Sequence, residues 1–200
     1  GWLDDDIVIK PTWVEYKKEK DSDILIEIDP GIAFGTGSHE TTKLCIQALD
    51  KYVKNGDSVL DVGCGSGILS IAALKLGAKH ATAIDIDEVA VKVAAENMAV
   101  NHIPSSDYTL YDGDLISNAF LKVKAGTGHD IVVANILADV IIPLTGVVKP
   151  HLKKGGLYIT SGIIDDKEET VKEAVAKAGL ELIDVTYQGE WVCVTARKRN

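Results

Sequence analysis

Three cysteines in 200 residues leave little room for covalent cross-links. Cys45, Cys64 and Cys193 are far apart, odd in number and form no CxxC pair. That excludes a disulfide scaffold or zinc-finger spacing and suggests reduced thiols in a cytoplasmic setting. No apolar run approaches the roughly 20 residues a membrane-spanning helix needs. The opening GWLDDDIVIK lacks the basic region and apolar core of a signal peptide. Lys and Arg are outnumbered: the net charge is -9 and the isoelectric point is near 5.0. This argues against a broad nucleic-acid surface, which needs clustered positive charge, and is compatible with a basic protein partner. The basic tail ARKRN (196–200) is too short to change that reading. Internal repeats and low-complexity segments are absent, and His80, His102, His129 and His151 have no metal-ligand spacing. The chain starts on Gly1 rather than Met and is read as a piece of a longer protein.

What is present is a soluble globular composition, 46% hydrophobic and 26% charged, of a length that fits one domain. Residues 1–23 read as polar and irregular, and ILIEI (24–28) as a short strand. Ser38 to Lys51 has helical spacing, capped by Ser38 or Thr36. From Asp57 strands and helices alternate. SVLDV (58–62), HATAID (80–85), YTLYD (108–112), DIVVAN (130–135) and GGLYITS (155–161) read as strands. ILSIAALKLGA (68–78), the segment from Asp87 to about Asn101, Ile136 to Val148 despite Pro143, and Asp166 to Ala178 read as helices. LELIDVTY and WVCVTAR, separated only by QGE (188–190), form a closing hairpin, so one of them runs antiparallel. The expectation is an α/β fold: a mostly parallel seven-stranded sheet with helices on both faces and a C-terminal antiparallel hairpin.

The chemical centre is VLDVGCGSGILS (59–70). A buried strand carrying Asp61 runs into Gly63, Gly65 and Gly67, and then a helix begins. Glycines in that position let the backbone turn sharply and approach a ligand at a helix N-terminus. Asp85 ends the next strand, 22 residues beyond Gly63, where a carboxylate can accept both hydroxyls of a ribose. An adenosine-containing cofactor is expected. The loop reads G-x-G-x-G, not the G-x-G-x-x-G of dinucleotide enzymes. Asp61 would repel a pyrophosphate and favour a ligand with an ammonium group, directly or through water. D-x-G-x-G-x-G resembles the first motif of class I S-adenosylmethionine-dependent methyltransferases. The GK[ST] of a phosphate-binding P-loop is absent.

Asn135 falls just past the fourth strand of the alternating region, beside the same crevice. It reads either as a helix cap or as the group whose Oδ1 accepts N–H bonds from an acceptor amine and aims its lone pair at a methyl group. In TLYDGDL (109–115), Asp114 either meets the adenine amino group, as acidic residues there do in this class, or belongs to a surface turn. No strong general base is evident, so catalysis is expected from positioning and desolvation.

DPGIAFGTGSHETT (29–42), the glycine loop, AIDID and VVANILA together closely resemble the methyltransferases that modify large-subunit ribosomal protein eleven. KPTW (10–13) and SGII (161–164) carry the same resemblance, which covers nearly the whole chain. It implies a bacterial cytoplasmic enzyme that methylates several lysine side chains and the N-terminal α-amine of one basic ribosomal protein. It maps cofactor contacts onto Thr42, Gly63, Asp85 and Asn135, to which Asp61, Gly65 and Asp114 are added from the motif reading. Phe34 would pack near the cofactor and His39 would cap or pack the loop. The resemblance also implies a substrate-recognition domain preceding residue 1, with 1–23 the end of its linker and 24–200 the methyltransferase domain. No metal, membrane or direct nucleic-acid contact is expected. The rival readings are a methyltransferase of another amine, a nicotinamide oxidoreductase and a non-catalytic cofactor-binding module. VANILA lacks the prolines and aromatic of an N-P-P-Y motif, which weakens a nucleobase acceptor.

Overall fold

A computed structural model describes residues 7–11, 24–28 and 39–200. Its main body is a seven-stranded sheet with helices on both faces. In chain order the strands are β3 (Ser58–Val62), β4 (His80–Asp85), β5 (Tyr108–Asp112), β6 (His129–Asn135), β7 (Leu152–Ile164), β8 (Glu181–Gln188) and β9 (Trp191–Arg197). Across the sheet they lie in the order β5-β4-β3-β6-β7-β9-β8. The first five are mutually parallel. β9 inserts antiparallel between β7 and β8, which identifies it as the reversed strand of the expected hairpin. Gly189 turns that hairpin at φ 58.

Alternation along the strands separates two cores. Val59, Ile131, Val133, Leu157 and Ile159 face one side with helices α1 (His39–Tyr52) and α2 (Ile68–Lys75). Leu60, Val132, Ala134 and Tyr158 face the other with α5 (Ala138–Thr145) and α6 (Glu168–Lys177). Both faces are covered, so the strands are near-continuous apolar runs, as parallel sheets require. α2 is mostly apolar and Ile68 to Ala73 are all buried, the pattern of a helix inside the fold rather than on it. α3 (Glu88–Val100) is capped by Asp87, whose side chain accepts from Val89 N.

The structure departs from the sequence reading in several places, among them the end of α2 at Lys75 rather than at residue 78. Residues 7–11, assigned to a linker, form strand β1 (Ile7–Pro11), which pairs in parallel with β2 (Ile24–Ile28). Ile7 and Ile9 are buried in the same core as α1 and α2, so this segment is part of the packed body. A helix not expected from the sequence, α4 (Ala119–Ala125), follows β5; Asn118 caps it by accepting from Leu121 N. It buries only Leu121 and Ala125, too few to leave a readable period. α5 is shorter than expected: it stops at Gly146 and holds Pro143 within it. α6 begins at Glu168, preceded by a 3-10 turn at 165–167. β7 runs through Ile164, with a register shift between Thr160 and Ile163.

The chain leaves β3 outward through β4 to β5, then returns to β6 on the other side of β3. That reversal opens a crevice at the carboxyl ends of the strands, the usual ligand position in such sheets.

Candidate active site

The crevice holds a cavity of about 400 Å³. Its floor is the turn from β3 into α2. Gly63 N and Cys64 N both donate to Ile84 O, at 2.8 and 2.9 Å, which ties the turn to the end of β4. Gly63 has φ 75, and a Cβ there would run into the Ile136 side chain. Only glycine satisfies both constraints.

Asp85 stands at the end of β4 and lines the cavity. Its Oδ2 accepts from Gly65 N at 2.9 Å and its Oδ1 from Asp87 N at 2.9 Å. The two backbone bonds fix the carboxylate plane and leave lone pairs for further donors. Asp114 also lines the cavity. Both of its oxygens are engaged in the local turn, Oδ1 accepting from Ile116 N and Oδ2 from Ser117 Oγ, so it is a turn residue and a wall residue at once.

Asn135, at the end of β6, and Thr42, on the first turn of α1, line the same cavity. They are 93 residues apart, and Asn135 Nδ2 points at Thr42 Oγ1 at 3.5 Å. Asn135 Oδ1 is buried and has no hydrogen-bond partner among the described residues. An unpaired buried amide oxygen costs about 1–3 kcal/mol. On a cavity wall, it is the signature of a group that awaits a donor.

Asp61 is placed differently from its neighbours. It is fully buried and does not line the cavity, but sits behind the glycine turn. Its Oδ2 accepts from Ser70 Oγ at 2.7 Å, while Oδ1 has no partner among the described residues. Burial pushes its pKa up to about 7, opposed by the Ser70 hydrogen bonds and assisted by the charge of Asp85. Direct ligand contact is therefore not open to it, and any influence passes through the turn or through water. Cys64 lies on the wall with its thiol pKa raised by burial, which makes it an inert packing group. Phe34, and the stretch 29–38 around it, lie outside the described residues. No cluster of His, Cys, Asp and Glu side chains fit to hold a metal occurs among the described residues, and no helix among them is long and apolar enough to cross a membrane.

A sequence profile described as "Ribosomal protein L11 methyltransferase (PrmA)" matches residues 3–199. The chain belongs to that family. It is 57% identical over 197 residues to the ribosomal protein L11 methyltransferase of Agathobacter rectalis, a match covering 96% of this chain and 61% of that one. To the Acetivibrio thermocellus protein of the same name it is 48% identical, covering 98% and 59%. The chain thus spans about three fifths of the length of these curated relatives. Among solved structures, the ribosomal protein L11 methylase of Lactobacillus delbrueckii subsp. bulgaricus superposes with a TM-score of 0.89 at 31% identity, covering 99% of this chain and 97% of that one. A putative methyltransferase complexed with SAH shares the fold at a TM-score of 0.67 and 14% identity. The architecture is that of the class I S-adenosylmethionine-dependent methyltransferases, and S-adenosylmethionine is the cofactor of this family.

In this member of the L11 methyltransferase family, six of the residues singled out from the sequence come together in space. Gly63, Gly65, Asp85, Asp114, Thr42 and Asn135 all line one cavity. Ser70, which holds Asp61, was missed, as were Ser161 and Gly162, which lie against Asn135. The only prior sign of the latter pair was SGII as a motif without a role.

Proposed function

We propose that this chain binds S-adenosylmethionine in the crevice and transfers methyl groups to lysine side-chain amines and the N-terminal α-amine of ribosomal protein L11. The observation that carries this reading is Asn135 Oδ1, a buried acceptor without a donor on the wall of the cofactor-sized cavity. When bound, the cofactor supplies an electrophilic methyl group on a sulfonium.

The chain's own residues then divide the work. Asp85, held rigid by two backbone N–H groups, accepts the ribose hydroxyls. Gly63 and Gly65 let the backbone approach the ligand, and Asp114 faces the adenine amino group. Asp61, buried behind the turn with Ser70 of α2 as its donor, braces the start of that helix and does not touch the ligand. Asn135 Oδ1 accepts N–H from the acceptor amine and aims its lone pair in line with the methyl group.

The amine must arrive neutral. At pH 7 that costs a lysine about 4.6 kcal/mol and an α-amine about 1 kcal/mol. No histidine among the described residues lines the cavity. Desolvation in the crevice lowers the lysine cost, and the proton leaves to water.

Exposed acidic residues lie at or just after the carboxyl ends of β4, β5, β6 and β7: Asp87, Asp112, Asp139, and Asp165 with Asp166. They suit a basic protein substrate in the cytoplasm. The relatives carry about two fifths of their length outside the match, which supports assigning substrate recognition to a separate domain and catalysis to this one. With β1 packed in its core, the catalytic unit is better drawn from residue 7 than from residue 24.

The test is calorimetric titration with S-adenosylmethionine, with NAD as the control ligand, followed by methyl transfer to L11. Binding of S-adenosylmethionine alone is expected. Asn135→Ala should keep that affinity and abolish transfer. Binding of NAD instead would overturn the reading.

A further inference from the structure

The bulge in β7 lies directly against Asn135. Thr160 pairs with Val194 and Ile163 with Val192, so Ser161 and Gly162 together oppose a single residue of β9. Such bulges re-aim neighbouring groups near active sites. On its other side β7 meets β6, with Ser161 opposite Asn135 and Ser161 O accepting from Ile136 N at 3.2 Å.

Two contacts make this bulge specific to Asn135. Ser161 Oγ donates to Thr41 O at 2.9 Å, which ties β7 to the turn of α1 carrying Thr42, the residue facing Asn135 Nδ2. Gly162 has φ 85, and a Cβ built on it would lie 2.5 Å from Ile136 O and 3.1 Å from Asn135 Oδ1. The first distance cannot persist, so any side chain at 162 must displace the backbone carbonyl after Asn135, or the bulge itself.

We propose that Ser161 and Gly162 are positioning residues for the acceptor amine: together they hold the Asn135 amide from both ends and keep Oδ1 unobstructed. This rests on the S-adenosylmethionine reading of the crevice. It gives the SGII motif a role: serine anchors α1, and glycine leaves the space in which the amide oxygen meets its donor.

β7 carries its own control. Gly155 has φ 83, nearly the value at Gly162, yet a Cβ there would meet nothing within 4 Å. Gly155→Ala and Gly162→Ala both place a side chain at a positive φ, and only the second crowds Asn135 and the Ile136 carbonyl.

The measurement is equilibrium binding of two ligands by calorimetry on the full chain. One is S-adenosylhomocysteine. The other is sinefungin, in which a carbon replaces the sulfonium sulfur and an ammonium group replaces its methyl, so that N–H donors are presented to Oδ1. The wild type should prefer sinefungin by about tenfold or more, the effect of a charge-assisted hydrogen bond. Gly162→Ala should remove most of that preference while S-adenosylhomocysteine affinity stays within about threefold. Gly155→Ala should leave both affinities unchanged, and Asn135→Ala should lose the preference as Gly162→Ala does.

Retained preference in a folded Gly162→Ala protein overturns the proposal, as does equal loss in Gly155→Ala. If Gly162→Ala does not fold, Ser161→Ala decides: reduced preference supports the proposal and unchanged preference overturns it. A wild type that binds both ligands equally overturns the positioning role alone. A wild type that binds neither overturns the cofactor reading, and the proposal with it.

Discussion

Asp61 offers the sharpest quantitative test of how this site is built. Its carboxyl is fully buried, with Ser70 as hydrogen-bond donor to one oxygen and no partner among the described residues for the other. Its pKa is raised from 3.8 to about 7. Between those values the folded protein holds a proton that the unfolded chain has released. The stability this lends is fully present below the unfolded value and is lost as pH rises through the folded one. From pH 5 to pH 8 the loss amounts to about two pK units, or about 2–3 kcal/mol at 1.36 kcal/mol per unit. That is a large part of the total for a domain stabilised by about 5–15 kcal/mol. Asn at position 61 keeps an acceptor for Ser70 and cannot ionise. It also puts an unpaired N–H₂ where the free oxygen was, at a cost of about 1–3 kcal/mol that does not vary with pH. The slope is therefore the diagnostic, not the offset. Urea unfolding at pH 5, 6, 7 and 8 should show the wild type losing about 2–3 kcal/mol relative to Asp61→Asn over the range. Parallel curves for the two proteins would refute the argument, because they would mean that Asp61 is ionised in the folded state throughout.

Other consequences follow from particular contacts. His129 is buried, with Nε2 against Ala125 O and Nδ1 against Ser58 Oγ, and burial holds its pKa below the usual range. Stability should fall as pH drops below about 6.5, because the unfolded chain then takes up a proton that the folded one resists; His129→Gln should flatten that limb of a pH–stability profile. Asn101 acts as a clamp on β2, its Oδ1 accepting from Glu27 N and its Nδ2 donating to Glu27 O. Asn101→Ala should cost about 1–3 kcal/mol and speed amide hydrogen exchange at 24–28 ahead of the main sheet. Ile71 is fully buried on α2 in the core beneath β1 and β2, so Ile71→Ala should cost about 2–5 kcal/mol in chemical denaturation, whereas Val123→Ala, at an 80% exposed position, should cost under about 0.5 kcal/mol.

Much of the wall of the candidate site is legible in the sequence, because its parts are local. Gly63, Gly65 and Gly67 turn the chain within five residues. Asp85 follows them at the spacing of one helix and one strand, and Asn135 ends a short, β-branched apolar run that reads as a buried strand. The period of each segment, and the caps and glycines at its ends, are set by neighbours along the backbone, so the alternating sheet-and-helix order was legible too. Segments with few residues in the core were not. β1 is five residues long and α4 buries only two, so neither repeats often enough to stand out from a loop. The rest depended on the strand order. Thr42 meets Asn135 across 93 residues, and Ser161 reaches Thr41 across 120, because β6 and β7 pair beneath α1. The crowding at Gly162 likewise exists only once β7 bulges against β6. Covalent spacing determined which groups this protein has at the ends of its strands. Which of them face one another, and which oxygen is left without a donor, was decided by the tertiary packing, since those distances are set by layers that the chain joins only after long crossovers.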